Sequence, residues 1–491
     1  MSQTTAQTLK PMLIQGEWVS TPGQEFDVVN PATGTVNYRM SAADAQQVDL
    51  AVTTAHHAAH QLAWRNMLPH LRARLLMAIA DGIEARKEDL ARCQMLENGK
   101  VWSECLAQAG SAAATFRYYA AVCETMVSEV TPSRGAYLSM TRYEPYGVVA
   151  AITPWNSPLT MEAQKVAPAL AAGNAVVLKP SEVTPSGALL LGEIALASGL
   201  PAGILNVVTG LGGVTGKALI EHPLVRMISF TGGTATGRAI GVAAAQRLIP
   251  TALELGGKSP HILFADANLS AAVDGVVDGI YEGTGQSCVA GSRLFVQRQV
   301  LDEVLDRLMQ KANGIRVGLP DVADSEMGPA ASFAHRDHIE RYIQSARDEG
   351  GEILAGGYRP DAPELAQGAF IRPTLIAGLS NQAKAVREEI FGPVLCVLPF
   401  EDEDDLIAQA NDTTYGLASG VWTADYQKAW RVADKLQTGL VWINTYKQLS
   451  ISTPFGGYKD SGLGREKGLS GMRLYQQSKG IYWSMNPNNM P

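Results

Sequence analysis

Val148-Val-Ala-Ala-Ile152, Ala175-Val-Val-Leu178, Leu205-Asn-Val-Val208, Met227-Ile-Ser-Phe230 and Thr251-Ala-Leu-Glu254 follow one another across one stretch of the chain. Each is a short apolar run, and between them lie stretches of helical character near 162–171, 186–198, 213–221 and 234–246. Strands alternating with helices predict a parallel sheet covered on both faces. Ligands bind such sheets beyond the carboxyl ends of the strands, so chemistry is expected in the residues just after each run.

Working outward, Ile14-Gln-Gly-Glu-Trp-Val19 and Phe26-Asp-Val-Val-Asn-Pro31 read as short strands and turns. Ser41 and Asp44 are candidate caps for a helix running towards Leu62. Leu71, Leu75, Leu76, Ile79 and Ile83 place a second helix after Pro69, and a third runs from about Val101 to Val122. A second α/β series begins at Pro260: His261–Phe264, a helix over about 269–282, then Leu294–Gln297, Val394–Leu398, Gly420–Trp422 and Leu440–Ile443. The tail Leu474–Trp483 alternates weakly. It reads either as an exchanged edge strand or as a terminus docked in its own subunit.

With 491 residues the chain is too long for one ordinary domain, and two or three are expected. Hydrophobic content of 46% with 18% charged residues describes a globular protein. A net charge of −8 without a basic cluster disfavours nucleic acid and anionic membrane as partners. Five scattered cysteines fit a reducing compartment, and neither a secretory signal nor a membrane-length apolar run is visible, so a cytoplasmic location is expected. His56 and His60 share a helix face, but nothing nearby supplies a third ligand, so no metal is expected.

The stretch Gly283-Thr-Gly-Gln-Ser-Cys-Val-Ala-Gly-Ser-Arg293 sets Cys288 among small and polar residues, where a thiol stays reachable and backbone N–H groups stay free. It reads as a nucleophile rather than as packing. Asn156, in the proline-bounded loop Thr153-Pro-Trp-Asn-Ser-Pro158, is either an oxyanion donor or a turn asparagine bonding its own backbone. Lys179-Pro-Ser-Glu182 suits the hydroxyls of a ribose, and Phe230-Thr-Gly-Gly-Thr-Ala-Thr-Gly237 lets a phosphate approach a helix N-terminus. Glu254-Leu-Gly-Gly-Lys-Ser-Pro260 offers a general base. Glu388-Glu-Ile-Phe-Gly-Pro393 offers a carboxylate and a ring for a ribose and a flat heterocycle.

Taken together, these motifs resemble the aldehyde dehydrogenase superfamily along nearly the whole chain, as far as the Pro454-to-Glu466 segment. The resemblance implies two Rossmann-like parallel-sheet domains in an α/β fold, plus a small β oligomerisation arm. Residues 1–124 and 145–253 would bind the cofactor, 254–465 would be catalytic, and 125–144 with 466–491 would form the arm of a homodimer or homotetramer. By the same resemblance Cys288 is the nucleophile, Glu254 the base and Asn156 the oxyanion donor, with the Cys288 N–H as its companion. Glu466 is a second carboxylate that helps relay protons. Ile152, Pro154 and Trp155 line the cofactor cleft. Lys179 and Glu182 contact the adenosine ribose, and Ser181 is a further cofactor-binding residue. Gly212, Phe230, Thr231, Gly232, Gly233 and Leu255 complete the cleft, and Glu389 and Phe391 meet the nicotinamide ribose. NAD is the implied cofactor, with NADP possible, and no metal is implied.

The implied access tunnel runs past Ser157, Thr160, Met161 and Gln164, past Tyr281, Glu282, Ser287 and Val289, and past Tyr446, Leu449 and Phe455. It contains no arginine, so a medium-size aliphatic or aromatic aldehyde is expected. A CoA-acylating enzyme and a semialdehyde dehydrogenase are the alternatives. The chain departs from the family at Gly233, where serine is often found, and so lacks that hydroxyl contact to the pyrophosphate.

Overall fold

The computed structural model describes residues 9–21, 24–486 and 488. Its first sheet has eight strands, in the order 462–463, 251–254, 225–231, 148–152, 175–179, 205–207, 12–14, 17–19. The five inner strands are parallel, and the flanking pairings to 12–14, 17–19 and 462–463 are antiparallel. Every residue of Val148–Ile152 and Ala175–Lys179 is buried, which explains their unbroken apolar texture. Chain order reverses between 148–152 and 225–231: later strands add on one side through 175–179 and 205–207, then on the other through 225–231 and 251–254. That reversal opens a crevice beyond the carboxyl ends of these two strands.

A second sheet of seven strands runs 352–355, 374–377, 394–400, 293–297, 260–263, 418–422, 440–443. It is parallel except at the 352–355 edge. A third, three-stranded sheet joins Glu129–Thr131, Tyr137–Pro145 and Gln476–Ser484. The last two pair antiparallel over nine residues, from Gln476 opposite Pro145 to Ser484 opposite Tyr137. The tail is therefore docked within its own chain. The strand starts only at Gln476. Residues 466–475, expected in the arm, instead pack inward: Met472 and Tyr475 are buried in the core of the first sheet.

Asp44 caps the helix Ala45–His60 through a capping box with Gln47, and Val48, Ala51, Val52 and Ala55 bury one face. The helix Lys87–Asn98 was not anticipated. Its sequence is largely charged, and only its end, at Gly99 with φ of 75°, carries a stop signal. His60 Nδ1 bonds the carbonyl of His56. Among the described residues, no helix is long and apolar enough to cross a membrane. The polar start, residues 1–8, and the last residues of the expected arm, 487 and 489–491, lie outside the described residues.

Candidate active site

The crevice at the reversal is a cleft of about 800 Å³. Ile152, Pro154 and Trp155 line one wall, Lys179, Ser181 and Glu182 the far end, and Gly212, Phe230, Thr231, Gly232 and Gly233 the floor. Lys179 Nζ donates to the Pro180 carbonyl at 2.9 Å and lies 3.8 Å from Glu182 Oε2. Burial lowers the Lys179 pKa and Glu182 opposes it. Gly233 precedes the helix Thr234–Arg247, and a Cβ built there would meet nothing within 4 Å. The helix N-terminus therefore faces open space where its N–H groups and dipole favour an anion.

A smaller cavity of about 260 Å³ adjoins it and shares Pro154, Trp155, Thr231, Gly232 and Gly233. Asn156, Met161, Leu255, Cys288, Glu389 and Phe391 line it. The cysteine loop reaches this position through left-handed backbone at Gly283, Thr284 and Gly285. At Gly285 a Cβ would stand 2.2 Å from the Gly392 carbonyl, so only glycine seats the loop this closely. Cys288 is half-buried, and its backbone N–H donates to no other described residue. Burial pushes the thiol up to about 12, helped by Glu389 and Glu254, while the Cys288 N–H and Lys467 act against this rise. Asn156, 7% exposed, donates through Nδ2 to the Gln286 carbonyl at 2.9 Å, one residue past the helical turn that leads to Cys288. The loop thus holds the amide at the thiol, and its second N–H remains for a ligand.

Glu389 accepts from the Gly257 N–H at 2.9 Å, and burial pushes its carboxyl up to about 7 against that bond and Lys258. Glu254 ends the strand Thr251–Glu254 and is 3% exposed. Its carboxylate turns towards Gly456, and Oε2 has no hydrogen-bond partner. Glu254 is not part of the wall around Cys288; its side chain lies beside that cavity. Burial raises its pKa well above the carboxyl range, Glu466 adds to this, and Lys165, Arg465 and Lys467 oppose. Glu466, also buried, accepts from Lys165 Nζ. Lys165 in turn donates to Ser229 Oγ at 3.2 Å, and the Tyr475 hydroxyl reaches the same oxygen at 2.9 Å.

The tunnel residues divide. Val289, Tyr446 and Phe455 form an apolar cluster against which Cys288 packs, and Met161 faces the same cavity. Tyr446 also stacks on His261, with ring centroids 4.1 Å apart. Ser157 accepts from Gln108 Nε2 at 3.2 Å, Thr160 and Ser287 are half-buried, and Gln164 is buried with Oε1 unpartnered. Leu449 is exposed, and Glu282 is exposed and paired with Lys447 at 3.3 Å. Tyr281 is a correction. Its ring lies in the core beneath the second sheet, and its hydroxyl donates to the Thr374 carbonyl at 3.2 Å. Helical spacing turns it inward with Val276 and Ile280, away from the thiol.

His335 and His338, on the helix Phe333–Asp348, line the thiol cavity and were missed. His335 Nε2 donates to the Phe391 carbonyl at 2.7 Å, and its ring meets Trp155 edge-on at 5.1 Å. Burial lowers the ring to about 4, so it is neutral, with Nδ1 left as an acceptor. The bond restrains Phe391, whose backbone φ is 58°. No local pattern separates these histidines from surface ones, since only the long connection between 297 and 394 brings them here. Lys165 was missed for the same reason, sitting mid-helix in an apolar run.

Parallel-sheet architecture, a cleft at the strand-order reversal and a thiol beside it define an oxidoreductase scaffold of one kind. The sequence matches the aldehyde dehydrogenase family over residues 18–481. The chain belongs to that family, whose members are oxidoreductases acting on aldehydes. It is 40% identical to the phenylacetaldehyde dehydrogenase of Pseudomonas fluorescens over 480 residues, 96% of this chain and 95% of that one. Among solved structures it resembles the betaine aldehyde dehydrogenase of Staphylococcus aureus in complex with NAD+, at a TM-score of 0.96 and 39% identity, covering 98% of this chain and 96% of that one. The NAD+ complex of an aldehyde dehydrogenase from Bacillus cereus is similar at a TM-score of 0.95 and 39% identity, covering 97% of each chain.

Proposed function

We propose that this chain oxidises a medium-size aliphatic or aromatic aldehyde to its carboxylic acid, with NAD as hydride acceptor and Cys288 as nucleophile. The observation that carries the reading is the junction of the two cavities: the half-buried thiol and the Asn156 amide line the smaller one, which shares the wall of Pro154, Trp155 and Thr231–Gly233 with the cleft. The cleft fits NAD. It lies at the strand-order reversal, carries a lysine and a carboxylate at its far end, and leaves open space at the helix N-terminus behind Gly233. When bound, the nicotinamide ring supplies a hydride acceptor. The Glu182 carboxylate favours free ribose hydroxyls over a 2′-phosphate.

The thiolate of Cys288 adds to the carbonyl carbon, and the alkoxide that forms is held by the Asn156 amide and the Cys288 N–H. Each such donor contributes about 3–4 kcal/mol in well-measured sites. Loss of hydride from that carbon leaves a thioester on the sulfur. Glu254, swung from its position near Gly456, then takes a proton from the water that cleaves the thioester, releasing acid and thiolate. Burial raises its pKa above the carboxyl range, which makes the ionised group a stronger base. Glu466, held by Lys165 and bearing on Glu254, is the second carboxylate to which that proton passes.

The apolar cluster of Val289, Tyr446 and Phe455 supports an apolar substrate, as does the similarity to a phenylacetaldehyde dehydrogenase. The same family reading extends to a homo-oligomer. Val130, Tyr482 and Trp483 on the third sheet and Leu248 beyond the helix Thr234–Arg247 are largely exposed, as surfaces awaiting a second copy would be. The test is nicotinamide absorbance on adding phenylacetaldehyde and NAD, with and without CoA. Acid formation without CoA is expected. Turnover only with CoA would assign the acylating reaction instead, and a marked preference for succinic semialdehyde would overturn the substrate reading.

A further inference from the structure

Lys467 stands apart from the other buried cations near the site. It is 7% exposed, and its backbone holds φ of 59° with ψ of 171°, a region populated almost only by glycine. It is fixed there from both sides. Phe455 and Glu466 exchange two backbone hydrogen bonds of 2.8 Å, and the Gly471 N–H donates to the Lys467 carbonyl at 2.8 Å. The strained turn sends the side chain over Phe455. Nζ lies 5.3 Å from the centroid of Phe455, a ring in the cluster against which Cys288 packs. Lys165, by comparison, spends its charge on Glu466 and Ser229 from a regular helix. Among the described residues Lys467 Nζ has neither an ion pair nor a hydrogen-bond acceptor. Nζ itself is not fully enclosed, but with so little of the residue exposed its charge is favoured only where the surrounding field suits it.

The field does favour a cation. Glu254 and Glu389 reach the thiol from two other elements and both disfavour a thiolate. Glu466, Cys288 and Glu254 act on Lys467 to keep it charged against burial, and Lys467 favours the ionised forms of Cys288 and Glu254. Arg465 and Lys165 bear on Glu254, while the Tyr446 ring flanks the thiol. We propose that Lys467 is a positioning residue for the reaction: from a strained turn beside Phe455 its ammonium stabilises the Cys288 thiolate. This rests on Cys288 being the nucleophile of the proposed function.

The test is the pH dependence of iodoacetamide alkylation of Cys288 in the full chain, followed on the Cys288 peptide by mass spectrometry so that the other cysteines do not contribute. Lys467→Met should move the inflection upward and slow alkylation at neutral pH, about tenfold for each unit of movement. Lys467→Arg should largely restore the parent profile. Lys467→Gly removes charge and backbone strain together. It should keep or raise the Tm while showing the slowed alkylation, so a folded variant remains if the methionine one fails. A profile for folded Lys467→Met or Lys467→Gly that superimposes on the parent overturns the proposal. So does an unchanged profile with activity lost only towards carboxylate-bearing aldehydes, which would make the ammonium a substrate contact. Absence of NADH formation by the parent would instead strike the proposed function, because alkylation reads the thiol without cofactor or substrate.

Discussion

The two ends of the cleft solve different problems. At the Glu182 end that carboxylate is partly exposed, and the cleft as a whole is wide, about 800 Å³. At the thiol end, about 260 Å³ is ringed by Cys288, Glu389 and Asn156, and Glu254 lies buried beside it. Burial pushes the carboxyls and thiol there towards their neutral forms. Binding a polar nucleotide needs shape and a few donors in a watery setting. Moving protons near neutrality needs groups whose ionisation has been made difficult. The difference lies in local dielectric more than in residue type, since a glutamate stands at both ends.

The hardest blow to the thiol end is Cys288→Ser. Steady-state NADH formation should fall about 10⁴-fold or more, with NAD affinity by calorimetry held, because the cleft is untouched. Substantial residual turnover would remove the sulfur from the reaction.

For Glu254→Gln, a fall of roughly 10²–10⁴ in turnover is expected, with the acyl-enzyme visible by mass spectrometry. In the parent, deacylation should slow as pH falls through the raised Glu254 value, because the base becomes protonated, and the burst of NADH should grow accordingly. Stability runs the opposite way with pH. A carboxyl raised by folding contributes stability that is fully present below its unfolded pKa and is lost as pH rises through its folded one. Thermal melts of Glu254→Gln should therefore lose less stability than the parent from acidic to alkaline pH. Parallel curves would mean that the carboxylate carries little burial penalty.

Tyr281→Phe separates core from tunnel. Loss of the bond to Thr374 should cost about 0.5–1.5 kcal/mol in denaturant melts, with kcat/KM unchanged across aldehydes. A change in chain-length preference would return Tyr281 to the tunnel. The smallest effect belongs to the open end. Gly233→Ser has room for its side chain and should tighten NAD binding roughly two- to tenfold by adding one hydroxyl contact. No change in affinity would show that backbone N–H groups already satisfy the phosphate.

The alternation of apolar runs and helices from Val148 to Glu254 determined the parallel sheet, and with it where ligand would lie. Burial on both faces leaves no other texture available to such strands. The motifs around Cys288, Glu254 and Glu389, weak one by one, together carried the resemblance to the aldehyde dehydrogenase family, and the family match bears that resemblance out. Tertiary structure alone decided that Tyr281 faces the core, that His335 restrains Phe391, and that Lys467 is held in a glycine-like turn with its Nζ over the Phe455 ring. Those facts depend on which faces of separate segments meet, up to 93 residues apart in the chain for Tyr281 and Thr374, and on backbone angles that such contacts impose. No local spacing encodes them.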